Sequence, residues 1–213
     1  VSTSRPLLYG ISVSQAGILS QNNIAKTDLH ACPALLGRHN WQNAGIAWGI
    51  CHAAGIPDKD IARGLQSFPG LAHRQHIVAT IGGVRYINDS KATNDQAASM
   101  ALAAFDPIYW IAGGKSKGGG YAACEKYMSH IRHAFLIGEA EEEIAAWLAQ
   151  AKKPFTRCNT LDKAFAAAHH MAQQEKISNA VVLLAPACAS FDQFSGFEAR
   201  GEAFAALVKK AMP

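Results

Sequence analysis

Apolar positions come in short runs broken by polar turn residues, and their period changes near residue 70. Residues 1 to about 36 read as short strands and turns. Leu7–Val13 is apolar with β-branched residues, and Ala16–Ser20 follows the turn-like Ser14-Gln15. A helix opens at Gly37-Arg-His-Asn40, with Asn40 in the N-cap role and Asn43 at its third position. Its body, Ala44–Ala54, is apolar nearly all round, which predicts burial on most faces. Gly55-Ile-Pro57 ends it. Asp58 is placed to cap a helix from Lys59 to about Gln66, and Phe68-Pro-Gly70 then breaks the chain. We place a domain boundary there, giving segments 1–70 and 71–213.

Beyond His73, strands at His76–Ile81 and Val84–Asn88 flank Gly82-Gly83, the signature of a tight hairpin. Asp89–Asn94 leads into an Ala-rich helix ending near Phe105. Strands then follow at Ile108–Ala112, His133–Ile137, Phe155–Cys158 and Ala180–Leu184. Helices are predicted over Tyr121–His130, Glu139–Ala151, Thr160–Glu175 (with Thr160 as its cap) and Gly196–Met212. This alternation implies an α/β fold with a mainly parallel sheet covered on both faces. Ligands of such sheets bind beyond the carboxyl ends of the strands. Three segments should therefore converge there: Asp89–Asn94, Gly113–Gly120 and Pro186–Phe197.

Composition narrows the classes. Of 213 residues, 49% are hydrophobic and 17% charged, enough apolar content for a buried core and too much for disorder. No apolar run approaches the ~20 residues of a membrane span, and Val1–Pro6 lacks a signal-peptide layout. The net charge of +4 is mild, with no basic-aromatic stripe, so neither nucleic acid nor membrane is expected as a partner. Five cysteines without C-x-x-C spacing point to reduced thiols in the cytoplasm. The clusters His73/His76 and His169-His170 lack acidic or thiol ligands at helical spacing, so no metal site is expected.

Candidate chemistry lies in the three segments. Gly114-Lys115-Ser116 resembles the end of a P-loop, but the required earlier glycine is Tyr109. The loop with Lys115 and Lys117 reads equally as an anion cradle or as a solvated turn. In Asp89–Asn94, Asp89 suits a ribose and Thr93 an anionic substrate, while one member of the cluster serves only as a helix cap. Cys188 and Ser190 have no recognisable base, and a packed thiol is the expected state of Cys188. Asp192, Glu198 and Arg200 cluster just before or within the last helix; a local ion pair plus acids complementing the helix amino end is the reading for Asp192 and Glu198, with Arg200 left open.

Together, Gly37-Arg-His-Asn-Trp-Gln-Asn43, Leu71-Ala-His-Arg74, Ile87–Asn94, Gly113-Gly114 with Lys117-Gly118, and Pro186–Phe194 resemble the Mur ligases. Within that family they are most similar to members that join D-glutamate to UDP-N-acetylmuramoyl-L-alanine in peptidoglycan synthesis, using ATP and Mg2+. The resemblance covers nearly all of 37–213 and implies a Rossmann-like three-layer αβα domain over 71–213. That domain would be preceded by the incomplete tail of a central ATPase domain over 1–70. It also implies roles for single residues. Asn40 and Asn43 would contact adenine, Arg74 the nucleotide phosphates and Asp89 the ribose. Thr93, Lys117, Ser190 and the backbone of Phe197 would form the D-glutamate pocket. His73 and Lys91 fall on motif positions of catalytic character, and Arg200 on one of uncertain role. Lys115 stands where some relatives carry an acid. The sequence contains no G-T-N-G-K-[ST] loop, so it reads as a fragment that binds no cofactor tightly and does not ligate by itself. A rival of another class is a free-standing, non-catalytic Rossmann-like module for a nucleotide or an acidic metabolite.

Overall fold

The computed structural model describes residues 10–213. The start of the predicted first strand, Leu7 to Tyr9, and the Val1–Pro6 segment lie outside them. The chain divides into two compact units, Val1–Gly70 and Leu71–Pro213.

In the first unit, strands β1 (Ile11–Val13), β2 (Ile18–Gln21) and β3 (Ile24–Asp28) form an antiparallel sheet in that order. Strand β3 was not expected from the sequence. The signal for it was the doublet Asn22-Asn23, whose φ values of 49° and 64° make the two-residue turn that matches strand twist. Helices α1 (Arg38–Ala53) and α2 (Asp58–Ser67) follow. Ile11, Leu19, Leu29, Trp48 and Ile61 form the core between these elements.

Three expectations are corrected here. Gly37, not Asn40, is the N-cap of α1, and Asn40 sits inside the first turn, donating from Nδ2 to the Leu36 carbonyl at 2.7 Å. Helix α1 is covered on one face only: Trp48 is buried, while Ile46 and Ile50 are 49% and 65% exposed. Asp58 is the first residue of α2 rather than its cap. It pairs with Lys26 at 2.7 Å and His52 at 3.1 Å, tying together β3, α1 and α2.

The second unit holds strands β4 (His76–Ile81), β5 (Val84–Asn88), β6 (Ile108–Gly113), β7 (Ile131–Ile137), β8 (Phe155–Asn159) and β9 (Val181–Leu184). Its helices are α3 (Asp95–Ala104), α4 (Glu141–Gln150), α5 (Leu161–Glu175) and α6 (Phe197–Lys210). The sheet order is β4-β5-β9-β6-β7-β8. The β4–β5 hairpin is antiparallel through the Ile81–Val84 turn, as Gly82-Gly83 predicted, and all other pairs are parallel. Strand β9 runs at the centre as an unbroken apolar stretch, every residue buried, as a strand covered on both faces requires. Helices α5 and α6 bring Phe165, Ala168, Phe204 and Val208 onto Tyr86, Tyr109, Ile111 and Phe135. Trp110 points to the opposite face by the strand period and meets Trp147 of α4 edge-on at 6.4 Å. This is the expected α/β architecture.

Residues Ala122–His130 form a 3-10 helix, not the α-helix expected from Tyr121. Only Cys124 is buried along it, so no apolar face stabilises an α-helix by packing. Thr160 occupies the N-cap position of α5 but makes no side-chain cap bond. Among the described residues, no helix is long and apolar enough to cross a membrane.

Candidate functional site

Because β5, β9, β6 and β7 run parallel, their carboxyl ends share one edge, and the three segments meet there. Asp89 N–H donates to Leu184 O at 2.8 Å, extending β5 onto β9. Ala187 N–H donates to Ala92 O at 2.9 Å, which joins the Pro186–Phe197 segment to Asp89–Asn94. Ala187 holds a left-handed φ of 59° to do so, a conformation costly for a residue with a Cβ. On the other side, Lys115 and Ala189 exchange two backbone hydrogen bonds, at 2.8 and 3.1 Å.

The Gly113-Gly114 pair is required by this closeness. Their φ values are 123° and 130°, and a Cβ on Gly114 would run into the Ala189 carbonyl. The first half of the glycine loop is therefore a pinned strand end and not a free turn. Lys115 and Lys117 project from it exposed to solvent.

In the first segment, Asn94 is the cap: its Oδ1 accepts from Ala97 N–H at 2.8 Å at the start of α3. Asp89 is nearly buried, and its Oδ1 accepts from Gln75 N–H at 3.2 Å. Burial pushes its carboxyl up to about 7, against the opposing pull of the Gln75 bond and the Arg74 charge. Thr93 is half-buried, and Arg74 is exposed.

The Asp89 shift gives a stability prediction. The unfolded chain ionises an aspartate near 4, while the folded one holds its proton until about 7. Stability from this group is thus fully present below pH ~4 and is lost as pH rises through 7. Asp89→Asn keeps an acceptor for Gln75 and removes the ionisation. In urea denaturation the variant should match the parent near pH 4 and exceed it increasingly towards pH 8. The gap should reach at most about 4 kcal/mol, at ~1.4 kcal/mol per pH unit. A constant gap across that range would contradict the assignment.

The third segment carries Ser190, 2% exposed, whose carbonyl accepts from Gln193 and Phe194 N–H at 3.1 and 2.8 Å. Cys188 is buried at 1% exposure, and burial pushes its thiol up, so it is a packed residue and no thiolate. All five cysteines are free. Phe197 opens α6. The Lys91 ammonium lies 3.7 Å from its ring centroid, a cation–π contact, and His73 meets the same ring edge-on at 6.2 Å. His73 Nδ1 also faces Asn88 Nδ2 at 3.2 Å, and Asn88 donates to Gly201 O at 2.8 Å. His73, Lys91 and Asn88 therefore seat the first turns of α6 against the end of β5.

Arg200 is the residue whose part local sequence reasoning missed. It does not join a local pair with Asp192 or Glu198. Buried at 1% exposure, its guanidinium donates to Ser90 Oγ and O, to Cys188 O and to Ala189 O, at 2.9 to 3.2 Å. Burial lowers it to about 10, still a cation at neutral pH. One side chain thus fastens two of the three segments to α6. Asp192 reaches the other way, accepting from Glu139 N–H at 3.2 Å beyond β7. No spacing in the sequence signals either contact, because both partners are far along the chain.

His73, Asp89, Lys91, Thr93, Lys117, Ser190, Phe197 and Arg200 thus belong to one sheet edge. Asn40 and Asn43 stand on α1 of the first unit, Asn43 exposed. The edge offers a buried carboxyl, hydroxyl groups, a helix amino end and exposed cations. That combination suits a ligand with both hydroxyl and anionic groups. Among the described residues, no three His, Cys, Asp or Glu side chains are grouped to hold a metal ion.

Comparison with known proteins agrees with this architecture. Residues 73–188 match the family described as Mur ligase, glutamate ligase domain. The chain is 50% identical over 209 residues to a UDP-N-acetylmuramoylalanine--D-glutamate ligase of Paramagnetospirillum magneticum, covering 98% of this chain and 45% of that protein. A protein of the same name from Rhodospirillum rubrum is 49% identical, over 86% of this chain and 38% of the relative. The chain spans about half the length, or less, of the curated relatives it matches. Among solved structures, a UDP-N-acetylmuramate-alanine ligase from Thermotoga maritima superposes with a TM-score of 0.60 at 16% identity, over 94% of this chain and 45% of that one. A Mycobacterium tuberculosis folylpolyglutamate synthase complexed with ADP also gives 0.60, at 15% identity over 92% and 46% of the two chains. At such identities these structures speak for the fold alone.

Proposed function

The chain belongs to the Mur ligase, glutamate ligase domain family, and from that premise we propose that it is the carboxyl-terminal portion of an ATP-dependent amide ligase adding D-glutamate to UDP-N-acetylmuramoyl-L-alanine in cytoplasmic peptidoglycan synthesis. The observation that carries this reading is the meeting of the Asp89–Asn94, Gly113–Gly120 and Pro186–Phe197 segments on one edge, in a chain half identical to proteins of that name. The relatives' greater length favours a ligase portion over a free-standing binding module. In this reading Leu71–Pro213 is the Rossmann-like ligand domain, and Val1–Gly70 is the tail of a central ATPase domain.

ATP supplies the phosphoryl group that activates the acceptor carboxylate, with Mg2+ offsetting its charge. The residues present fit the nucleoside part: Asp89 engages Oδ1 with Gln75, leaving its second oxygen to accept from a ribose hydroxyl. The exposed Arg74 guanidinium suits phosphate oxygens. The part assigned to Asn40 and Asn43, contact with adenine, rests on the resemblance alone. D-Glutamate brings two carboxylates, which need a cation and several donors. Lys117, the Thr93 and Ser190 hydroxyls and the amino end of α6 at Phe197 supply them. Lys91 and His73 hold Phe197, so their assigned part is to keep that helix end in place and to add positive charge near the developing anion. No Mg2+ ligand is assigned to the described residues.

The test is product formation. The complete protein, given ATP, Mg2+, UDP-N-acetylmuramoyl-L-alanine and labelled D-glutamate, should form a labelled amide with one ADP each. The 213-residue chain alone should release none, since it carries no P-loop to stabilise the transferring phosphoryl group. D-Glutamate-dependent ADP release by the isolated chain would overturn the reading.

A further inference from the structure

Between Lys115 and Tyr121 the glycine loop is spanned by Ser116, Lys117 and three consecutive glycines, of which Gly118 and Gly120 have positive φ. Such a run is the most expensive kind of segment to order. Both of its ends are nevertheless anchored, and on adjacent residues of a single partner segment. Lys115 pairs through its backbone with Ala189. Tyr121, 5% exposed, brings its hydroxyl to 3.6 Å from the Cys188 sulfur, while its ring lies 5.4 Å from that of Trp147. Within the loop, the Ser116 hydroxyl accepts from Gly118 N–H at 3.1 Å. Lys117 sits inside this small ring of contacts, and Cys188-Ala189 leads directly into Ser190.

We propose that Tyr121 is a positioning residue: its hydroxyl, in contact with the Cys188 sulfur, sets the Lys117 loop against the Ser190 loop and so prepares the amino-acid pocket. This rests on the assignment of Lys117 and Ser190 to D-glutamate. The gain is pre-organisation. A lysine on an unanchored glycine loop would have to be ordered at the moment of binding, at the expense of affinity. The ring and the hydroxyl have separable parts, because the ring packs on Trp147 while the hydroxyl meets the Cys188 sulfur. Burial raises the phenol well above its ordinary value, so it remains a neutral hydroxyl throughout the working pH range.

The experiment uses the complete ligase with Tyr121→Phe, Cys188→Ala, Lys117→Ala and the Tyr121→Phe/Lys117→Ala pair. Tyr121→Phe should raise the D-glutamate KM roughly two- to tenfold, the range for one lost hydrogen bond. The ATP KM and the melting temperature should stay put. Cys188→Ala should reproduce the KM effect, and the double variant should be no worse than Lys117→Ala. If Lys117→Ala raises the D-glutamate KM and Tyr121→Phe does not, the proposal falls and the functional reading stands. The proposal also falls if the two effects multiply, or if Tyr121→Phe lowers the melting temperature and shifts both KM values together. If Lys117→Ala leaves the D-glutamate KM unchanged, both fail.

Discussion

Lys117→Ala, made in the complete ligase, is expected to raise the KM for D-glutamate about 10- to 150-fold while leaving the KM for ATP near its parent value. The magnitude is that of one charge-assisted hydrogen bond, about 1.5–3 kcal/mol. The selectivity follows from placement. Lys117 projects from the β6 end of the edge, beside the segment that carries Ser190, while Asp89 and Arg74, assigned to the ribose and phosphates, lie at the β5 end. Lys115 is the internal control. It is also exposed and two residues away, but its backbone is pinned to Ala189, at the anchored end of the loop that bears Lys117. Lys115→Ala should move the D-glutamate KM far less. Equal effects of the two variants would reduce the loop to a general positive surface.

The largest stability effect is expected at Arg200. Arg200→Ala removes the donor to three carbonyl oxygens and one hydroxyl in a site with almost no solvent. Ala189 O keeps the Lys115 N–H and Ser90 Oγ keeps its bond to Phe197 O, but the Ser90 and Cys188 carbonyls would lose the guanidinium in a buried site, and losses of this kind cost about 3–5 kcal/mol. Against a typical total of ~5–15 kcal/mol, that is a large share. Arg200→Lys keeps the charge but not the planar fork, so it can serve only part of the set and should fall in between. Urea unfolding, read by hydrogen exchange of the β5, β9 and β6 amides, reports on this unit alone. A cost below ~1 kcal/mol for Arg200→Ala would mean that water or a neighbouring side chain replaces the guanidinium.

Much of the architecture was legible because its causes are local. Gly82-Gly83 between alternating runs marks a hairpin. The strand-helix alternation after residue 84 dictates a parallel sheet, and a parallel sheet dictates that the segments following its strands share an edge. A helix cap within Asp89–Asn94 was legible by residue type, but not which member of the cluster, Asn94, supplies it. What was not legible depends on distant partners. Nothing near Arg200 announces that its acceptors are at Ser90 and Cys188, and nothing near Asp192 announces Glu139. The apolar face of α1 was misread for a related reason. Hydrophobicity all round a helix says that burial is favourable but does not supply a partner, and within this unit only the Trp48 face has one. The 3-10 helix at 122–130 shows the converse, since helix-compatible residues without an apolar stripe settled into a tighter winding.

The most direct test of the central assignment crosses two variants with two substrates in the complete ligase. Steady-state KM values for ATP and for D-glutamate are measured in Asp89→Ala and in Lys117→Ala. With Asp89 on the ribose and Lys117 on the amino acid, the first variant raises the ATP KM alone and the second raises the D-glutamate KM alone. If both variants raise the same KM, or if neither KM responds, the sheet edge is not divided between nucleotide and amino acid as described.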